Sequence, residues 1–285
     1  TQILYGSVVG VLSSLPYAFH PIYSTPELAL LLGNIVSYTM STKERYFLPF
    51  IEKIKIAKDT YELVFQPRNK IDYMGGQYME WTLPHVKTDT RGIRRYFTIA
   101  SSPLEDTIRV GIKEAEKGST FKNNLLSLHT GMGVLATSVS GDFLLPTDAS
   151  KKLVFIAGGI GITPFISMIR TLLILGEKRD ITLFYSNKTE EEIAYKYVLE
   201  QAEKELGIKV VHVLSDLEKI SSSWQGEKGF ITSEMIKDSL KDYKERSYFI
   251  SGPPGMVAAY TTTLKDMGVS SFDIVTDSFP GFAYL

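Results

Sequence analysis

The period of the hydrophobic pattern changes near residue 150, and that change constrains the fold more than any other feature of these 285 residues. Before it, residues 50–57 alternate in part, with Ile54 and Ile56 apolar and Lys53 and Lys55 polar, as a half-buried strand does. Runs at 61–65, 77–83, 96–100, 107–112 and 134–140 continue the series, punctuated by Gly75-Gly76, Pro84, Gly131 and Gly133. Six short strands over about 90 residues predict a small antiparallel β-barrel. After Ser150 the chain alternates strand with helix. Residues 153–157 are uniformly apolar, as in a strand buried on both faces. Residues 163–175 read as a helix with Thr163 as N-cap, Pro164 in the first turn and Gly176 as the stop. Strands at 181–185, 209–214, 248–251 and 272–276 alternate with helices at 190–206, 232–240 and 255–267. That alternation predicts an α/β domain with an open, mostly parallel sheet.

The amino-terminal part differs from both. Residues 1–42 hold one formal charge, Glu27, whereas 43–58 hold seven, with Asp59 next in the chain. The apolar run 3–19 has the length of a short membrane span, while 28–40 is shorter than the ~20 residues a span needs. The basic cluster behind them places the downstream residues on the cytoplasmic side by the positive-inside tendency. A buried helical hairpin is the alternative. A chain that opens on Thr rather than Met also reads as a piece of a longer protein. The expected division is 1–46 as an apolar helical segment, a transmembrane remnant associated with the membrane through 1–42, then 47–149 as the barrel and 150–285 as the α/β domain.

Composition excludes several classes. Without cysteine there is no disulfide framework, thiolate zinc site or iron–sulfur cluster. The four histidines, His20, His85, His129 and His212, have no metal-ligand spacing. Lys and Arg number 31 against 32 acids, which gives no sign of a nucleic-acid partner.

Two segments carry chemistry. Gly158-Gly159-Ile160-Gly161-Ile162-Thr163-Pro164 joins a strand to a helix, so its backbone can approach an anion at the positive end of the helix. Gly161 is expected to admit the phosphates and to be strained by any side chain if its φ is positive. Pro164 stands where a G-x-G-x-x-G fingerprint has its third glycine, so a tight strand–helix turn is the plainer reading. On the predicted strand at 96–100 and just before it, Arg95, Phe97 and Ile99 share one face while Tyr96 and Thr98 share the other. An arginine there can bind a pyrophosphate and an aromatic can lie on a planar ring.

Taken together, the segments resemble the ferredoxin–NADP reductase superfamily, a flavin-binding barrel followed by a pyridine-nucleotide domain, over roughly 48–285. Arg95-Tyr96-Phe97-Thr98 is similar to its R-x-[YF]-[ST] motif. The resemblance implies FAD, with Arg95 at its pyrophosphate, Phe97 on the isoalloxazine and Thr98 as a catalytic residue at its reactive edge. Tyr96 is carried as a cofactor-binding residue of the same motif. Gly118-Ser119-Thr120 resembles the second flavin-phosphate segment, and Ser140-Gly141-Asp142-Phe143 the turn closing the barrel. The stretch 158–164 resembles the G-G-x-G-x-T-P loop, which makes Gly159, Gly161, Thr163 and Pro164 nucleotide residues. Ser251-Gly252-Pro253-Pro254-Gly255-Met256 resembles C-G-P-P-x-M beside the nicotinamide, which implies a catalytic Ser251 in place of the usual cysteine, with Gly252, Pro253 and Met256 at the cofactor. Asp277-Ser278-Phe279-Pro280-Gly281-Phe282 resembles the carboxy-terminal ending in which an aromatic, here Phe279, covers the flavin. The implied reaction takes a hydride from NAD(P)H to FAD.

Residues 25–34 resemble a terminal membrane helix of Rnf-type and sodium-translocating NADH:quinone reductase subunits; a haem membrane domain, with His20 as ligand, is another option. The implied partner is an electron-acceptor protein or a membrane redox subunit. Ser186 and Lys188 follow the second parallel strand with no carboxylate in that segment, which favours a 2′-phosphate and hence NADPH. A non-catalytic, flavin- or nucleotide-binding regulatory subunit is the alternative to an enzyme.

Overall fold

The computed structural model describes residues 26–42, 45–114 and 119–278. The expectations for the apolar run 3–19, for Gly118 and for Phe279 lie outside the described residues. The chain divides into two units, Thr1–Tyr46 and Phe47–Leu285. In the first, α1 (Pro26–Thr42) has 17 residues and exposes Leu30, Leu31, Ile35 and Tyr38. No helix among the described residues is long and apolar enough to cross a membrane.

The antiparallel sheet is built from β1 (Arg45–Ala57), β2 (Thr60–Phe65), β3 (Tyr78–Thr82), β4 (Arg94–Thr98), β5 (Ile108–Lys113) and β6 (Gly133–Ser140). Its order is β4-β3-β6-β1-β2-β5. Just beyond β4, the Ala100 N–H donates to Arg109 O of β5 at 2.7 Å, so the two edge strands meet. Inward-facing Phe65 and Trp81 pack edge to face at 5.0 Å. The short helix α2 (Thr120–Leu126) buries Phe121, Leu125 and Leu126.

The second sheet runs through β7 (Leu153–Gly158), β8 (Ile181–Asn187), β9 (Lys209–Leu214), β10 (Glu227–Lys228), β11 (Ser247–Gly252) and β12 (Ile274–Ser278). Its order, β10-β9-β8-β7-β11-β12, is parallel throughout. Helices α3 (Thr163–Leu175), α4 (Lys196–Leu206), α5 (Ser233–Ser239) and α6 (Pro254–Asp266) connect its strands. Every residue of β7 is buried, which explains its unbroken apolar sequence. Two expectations change. Ile162, without a side-chain bond, caps α3, and Thr163 is its first helical residue. The helix expected at 190–206 begins only at Lys196, because Tyr195 takes a left-handed φ of 59° and interrupts it. A 3-10 turn at Glu190–Glu192 fills part of the gap.

A buried ion cluster joins the two sheets. Glu62 of β2 is 2% exposed and accepts from Arg170 of α3 at 2.8 and 3.2 Å and from Arg109 of β5 at 3.0 Å. Arg170 also donates to Ala100 O at 2.9 Å, and Ser167 Oγ to Ser101 O at 2.6 Å. Removing one member leaves charge buried without its partner, which costs about 3–5 kcal/mol. Arg170→Met should therefore lower unfolding stability by about 3 kcal/mol in urea titration, discounted for the Arg109 bond that remains. A loss under about 0.5 kcal/mol would mean the cluster does not hold the sheets together.

Candidate functional site

The chain leaves β7 toward β8 and β9 on one side and returns to β11 and β12 on the other. The sheet order therefore reverses between β7 and β11, and a crevice at the carboxyl ends of such strands is where open α/β sheets bind ligands. Both glycine-containing segments end there. The 3-10 turn Gly159–Ile162 follows β7 and runs straight into α3, so a helical start with N–H groups that lack intrahelical acceptors lies at this switch point. The glycines serve different purposes. Gly159 has φ 53° and open space around an added Cβ, so its need is conformational. Gly161 does not have the positive φ that would have strained any other residue there. Its Cβ would stand 2.5 Å from Ser251 O and 2.6 Å from the Gly252 Cα, so glycine there lets the loop close against β11. A Cβ on Gly158 would run into the Met256 sulfur. Thr163 and Pro164 are buried, and the Thr163 hydroxyl donates to Ile160 O at 3.1 Å. Pro253 precedes α6 on the exposed rim, with Met256 half-buried behind it.

Ser251 is fully buried, and its Oγ has no hydrogen-bond partner among the described residues. Across the ladder stands Asp277 of β12. Burial, and then the charge of Asp142, push the Asp277 carboxyl up to about 6. Asp277 opens the carboxy-terminal motif, yet no local signal in the sequence reveals that it pairs with Ser251.

At the ends of β8 and β9, Ser186 is half-buried and Lys188 exposed. The segment lacks a carboxylate of its own, but the parallel sheet brings one from 28 residues on. Asp216 N–H donates to Lys188 O at 3.0 Å, and the Asp216 carboxylate feels the Lys188 charge. Lys219, bonded to it at 2.7 Å, holds Asp216 below the usual carboxylate range.

The second cluster forms around β4 and α2. Arg95 and Phe97 share a face, as alternation predicts: the Arg95 guanidinium lies 5.3 Å from the Phe121 ring and Phe97 stacks on that ring at 6.0 Å. Tyr96 points the other way, 64% exposed, edge-on to Tyr78 at 5.7 Å. Thr98 is buried at the end of β4. Ser119 caps α2 by accepting from Lys122 N–H at 3.1 Å. The Thr120 hydroxyl meets His85 Nε2 at 2.9 Å and accepts from Asp89 N–H at 3.1 Å. Arg95 donates to Asp89 at 2.9 Å and to three backbone carbonyls, yet its buried Nε has no partner among the described residues. Burial, then the charges of Arg91 and Arg95, push the Lys122 ammonium down. Among the described residues, Arg91, Arg95 and Lys122 gather around the carboxylate of Asp89, a positive excess suited to a pyrophosphate. Lys122 of α2 and His85 and Asp89 of the loop between β3 and β4 were not legible in the sequence because helix and loop meet only in the fold.

Residues 155–262 match the oxidoreductase NAD-binding domain family. A flavohemoprotein of Bacillus subtilis is 24% identical over 229 residues, covering 78% of this chain and 56% of that protein. NADH-cytochrome b5 reductase 1 of Dictyostelium discoideum is 28% identical over 250 residues, covering 86% of this chain and 85% of that protein. The crystal structure of a cytochrome P450 reductase from Amycolatopsis superposes with a TM-score of 0.71 at 26% identity, covering 82% of this chain and 69% of that one. The chain spans little more than half the length of several curated relatives it matches, 56–59% of three of them. With the antiparallel sheet, the parallel sheet and the switch-point loop in place, residues 155–262 belong to the oxidoreductase NAD-binding domain family, and the chain as a whole is similar to ferredoxin–NADP reductase-like proteins.

Proposed function

We propose that this chain is an NAD(P)H-dependent FAD oxidoreductase that passes electrons from the nicotinamide nucleotide through FAD to an acceptor protein or membrane redox subunit. The observation that carries this reading is the switch-point crevice, where the glycine loop closes on the Ser251–Gly252 backbone. The cation cluster supports the flavin half: Arg95, with its unpaired Nε, would hold the pyrophosphate with Arg91 and Lys122. Phe97 offers an aromatic face and Thr98 a buried hydroxyl to the ring system. Bound FAD supplies hydride acceptance and single-electron release; the protein supplies position and field. The helical start at Gly159–Thr163 would bind the nucleotide pyrophosphate, and Ser251, Pro253 and Met256 would flank the nicotinamide. Relatives named as reductases of cytochrome b5 and cytochrome P450 support a protein acceptor.

Asp216 beside Lys188 changes the nucleotide preference drawn from the sequence. A carboxylate there accepts from a ribose hydroxyl and repels a 2′-phosphate, which favours NADH. Membrane association through residues 1–42 belongs to the same reading, supported by their single charge and by the exposed Leu30, Leu31 and Ile35 on α1.

Anaerobic addition of NADH to the purified yellow protein should bleach its flavin absorption; protein that takes up no FAD, or whose flavin NADH leaves oxidised, refutes the proposal. Gly161→Val should abolish bleaching while flavin content persists, because any Cβ there collides with the β11 backbone. Asp216→Ala should raise the NADPH-to-NADH ratio of kcat/KM about 5-fold, the worth of roughly 1 kcal/mol of exposed charge repulsion; an unchanged ratio removes Asp216 from nucleotide choice. For Asp277, the folded protein keeps a proton between about pH 4 and 6 that the unfolded chain has released. Stability must therefore fall as pH rises through that window. Asp277→Asn should raise Tm at pH 7.5, with the gain vanishing toward pH 4; a gain independent of pH would contradict this sign.

A further inference from the structure

Tyr185 lies in β8, opposite Ala157 of β7, and is fully buried. Its hydroxyl donates to Gly159 O at 3.1 Å and accepts from Ala194 N–H at 3.3 Å. Gly159 is the residue of the loop whose positive φ turns the chain out of the sheet. In a planar trans peptide, the carbonyl of Gly159 and the N–H of Ile160 point in opposite directions. With the carbonyl anchored inward on a buried hydroxyl, the Ile160 N–H is aimed outward. That N–H belongs to the first residues of the 3-10 turn, which lack intrahelical acceptors. A carbonyl free to swing would instead turn its negative end toward an incoming phosphate. Burial pushes the Tyr185 hydroxyl well above its ordinary range, so it remains a neutral donor at working pH.

Resting on the nucleotide-site reading above, we propose that Tyr185 is a positioning residue for the nucleotide pyrophosphate, holding the Gly159–Ile160 peptide in its anion-binding orientation. The second bond, from Ala194, ties the same hydroxyl to the segment ahead of α4, so two loops at the carboxyl edge of the sheet share one fixed point.

The test compares Tyr185→Phe with the parent protein, both as the FAD-loaded full chain. It measures inhibition of NADH oxidation by ADP, which carries the pyrophosphate, and by adenosine, which does not. Loss of one hydrogen bond should weaken ADP about 5-fold and raise the KM for NADH similarly. Adenosine inhibition, kcat and flavin content should stay within about 2-fold, well inside the effect of one hydrogen bond. Gly159→Ala, which strains the same peptide without touching Tyr185, should also weaken ADP and spare adenosine. Unchanged ADP inhibition, or equal loss for ADP and adenosine, overturns the positioning role while leaving the proposed function standing. A parent protein that neither oxidises NADH nor binds ADP overturns the nucleotide site itself, and Tyr185's role with it.

Discussion

Two guanidinium groups converge on one carboxylate that solvent barely reaches, Arg109 from β5 and Arg170 from α3 on Glu62 of β2. Burying three charges is expensive, and such a cluster adds little net stability compared with apolar packing. What it supplies is geometry. Arg170 lies two helical turns along α3 from the glycine loop and also donates to Ala100 O, just beyond the strand that carries Arg95, Phe97 and Thr98. One side chain thus connects the helix of the proposed nucleotide loop to the end of the proposed flavin strand. The fork of a guanidinium suits this task, because its donors leave in fixed, divergent directions.

A second tether runs through the segment between β8 and α4. Lys58 bonds Glu191 through its side chain at 3.0 Å and through its backbone N–H at 2.8 Å, and Lys113 pairs with Glu192. These exposed or half-exposed pairs are each worth little. The steric constraint beneath them is stronger. A Cβ on Gly111 of β5 would stand 2.6 Å from the Tyr195 hydroxyl and 2.7 Å from the Thr163 methyl. Glycine at that strand position therefore lets two elements of the parallel-sheet half approach the antiparallel sheet closely, where any other residue would hold them apart. The left-handed φ of Tyr195 has the same origin: the side chain turns inward onto Gly111 and Arg170, and the helix starts one residue later.

The elements were legible in the sequence because their apolar period is local. β7 and α3, from Leu153 to the left-handed Gly176 after Leu175, lie where the pattern put them, and the glycine loop sits at a strand end as its composition implied. What the sequence hid is tertiary. Nothing in the segment at Lys188 announces Asp216, which arrives only because β9 lies parallel to β8 in register. The pairing of Ser251 with Asp277 depends in the same way on β11 and β12 being neighbours. The contact of Gly161 with β11 was not legible, because a glycine needed for φ and a glycine needed for close approach look identical in one dimension. Helix 190–206 was not legible in its true length, since Ile193 and Tyr195 are ordinary helix residues by propensity and only the fold sets Ile193 extended and Tyr195 left-handed.

Two of the buried polar atoms left without partners among the described residues belong to the proposed sites; others, such as Trp81 Nε1, His212 Nδ1 and both amide atoms of Asn187, do not. Ser251 Oγ is buried at the end of β11, beside the switch point, and Arg95 Nε lies in the cation cluster. Leaving such a group unpaired in the interior costs about 1–3 kcal/mol, more when it is charged. The rest of the Arg95 guanidinium is bonded to Asp89 and to the carbonyls of Arg91, Gly92 and Arg94, so the protein has fixed the group and withheld one donor. A ligand oxygen that reached that donor would recover the cost without any further ordering of the side chain. The same reasoning applies to Ser251, whose strand is clamped between Gly161 on one side and β12 on the other. Rigid, undersatisfied polar atoms of this kind favour binding because the entropy of positioning them is already lost on folding. By linkage, a ligand that satisfies them stabilises the fold as it binds.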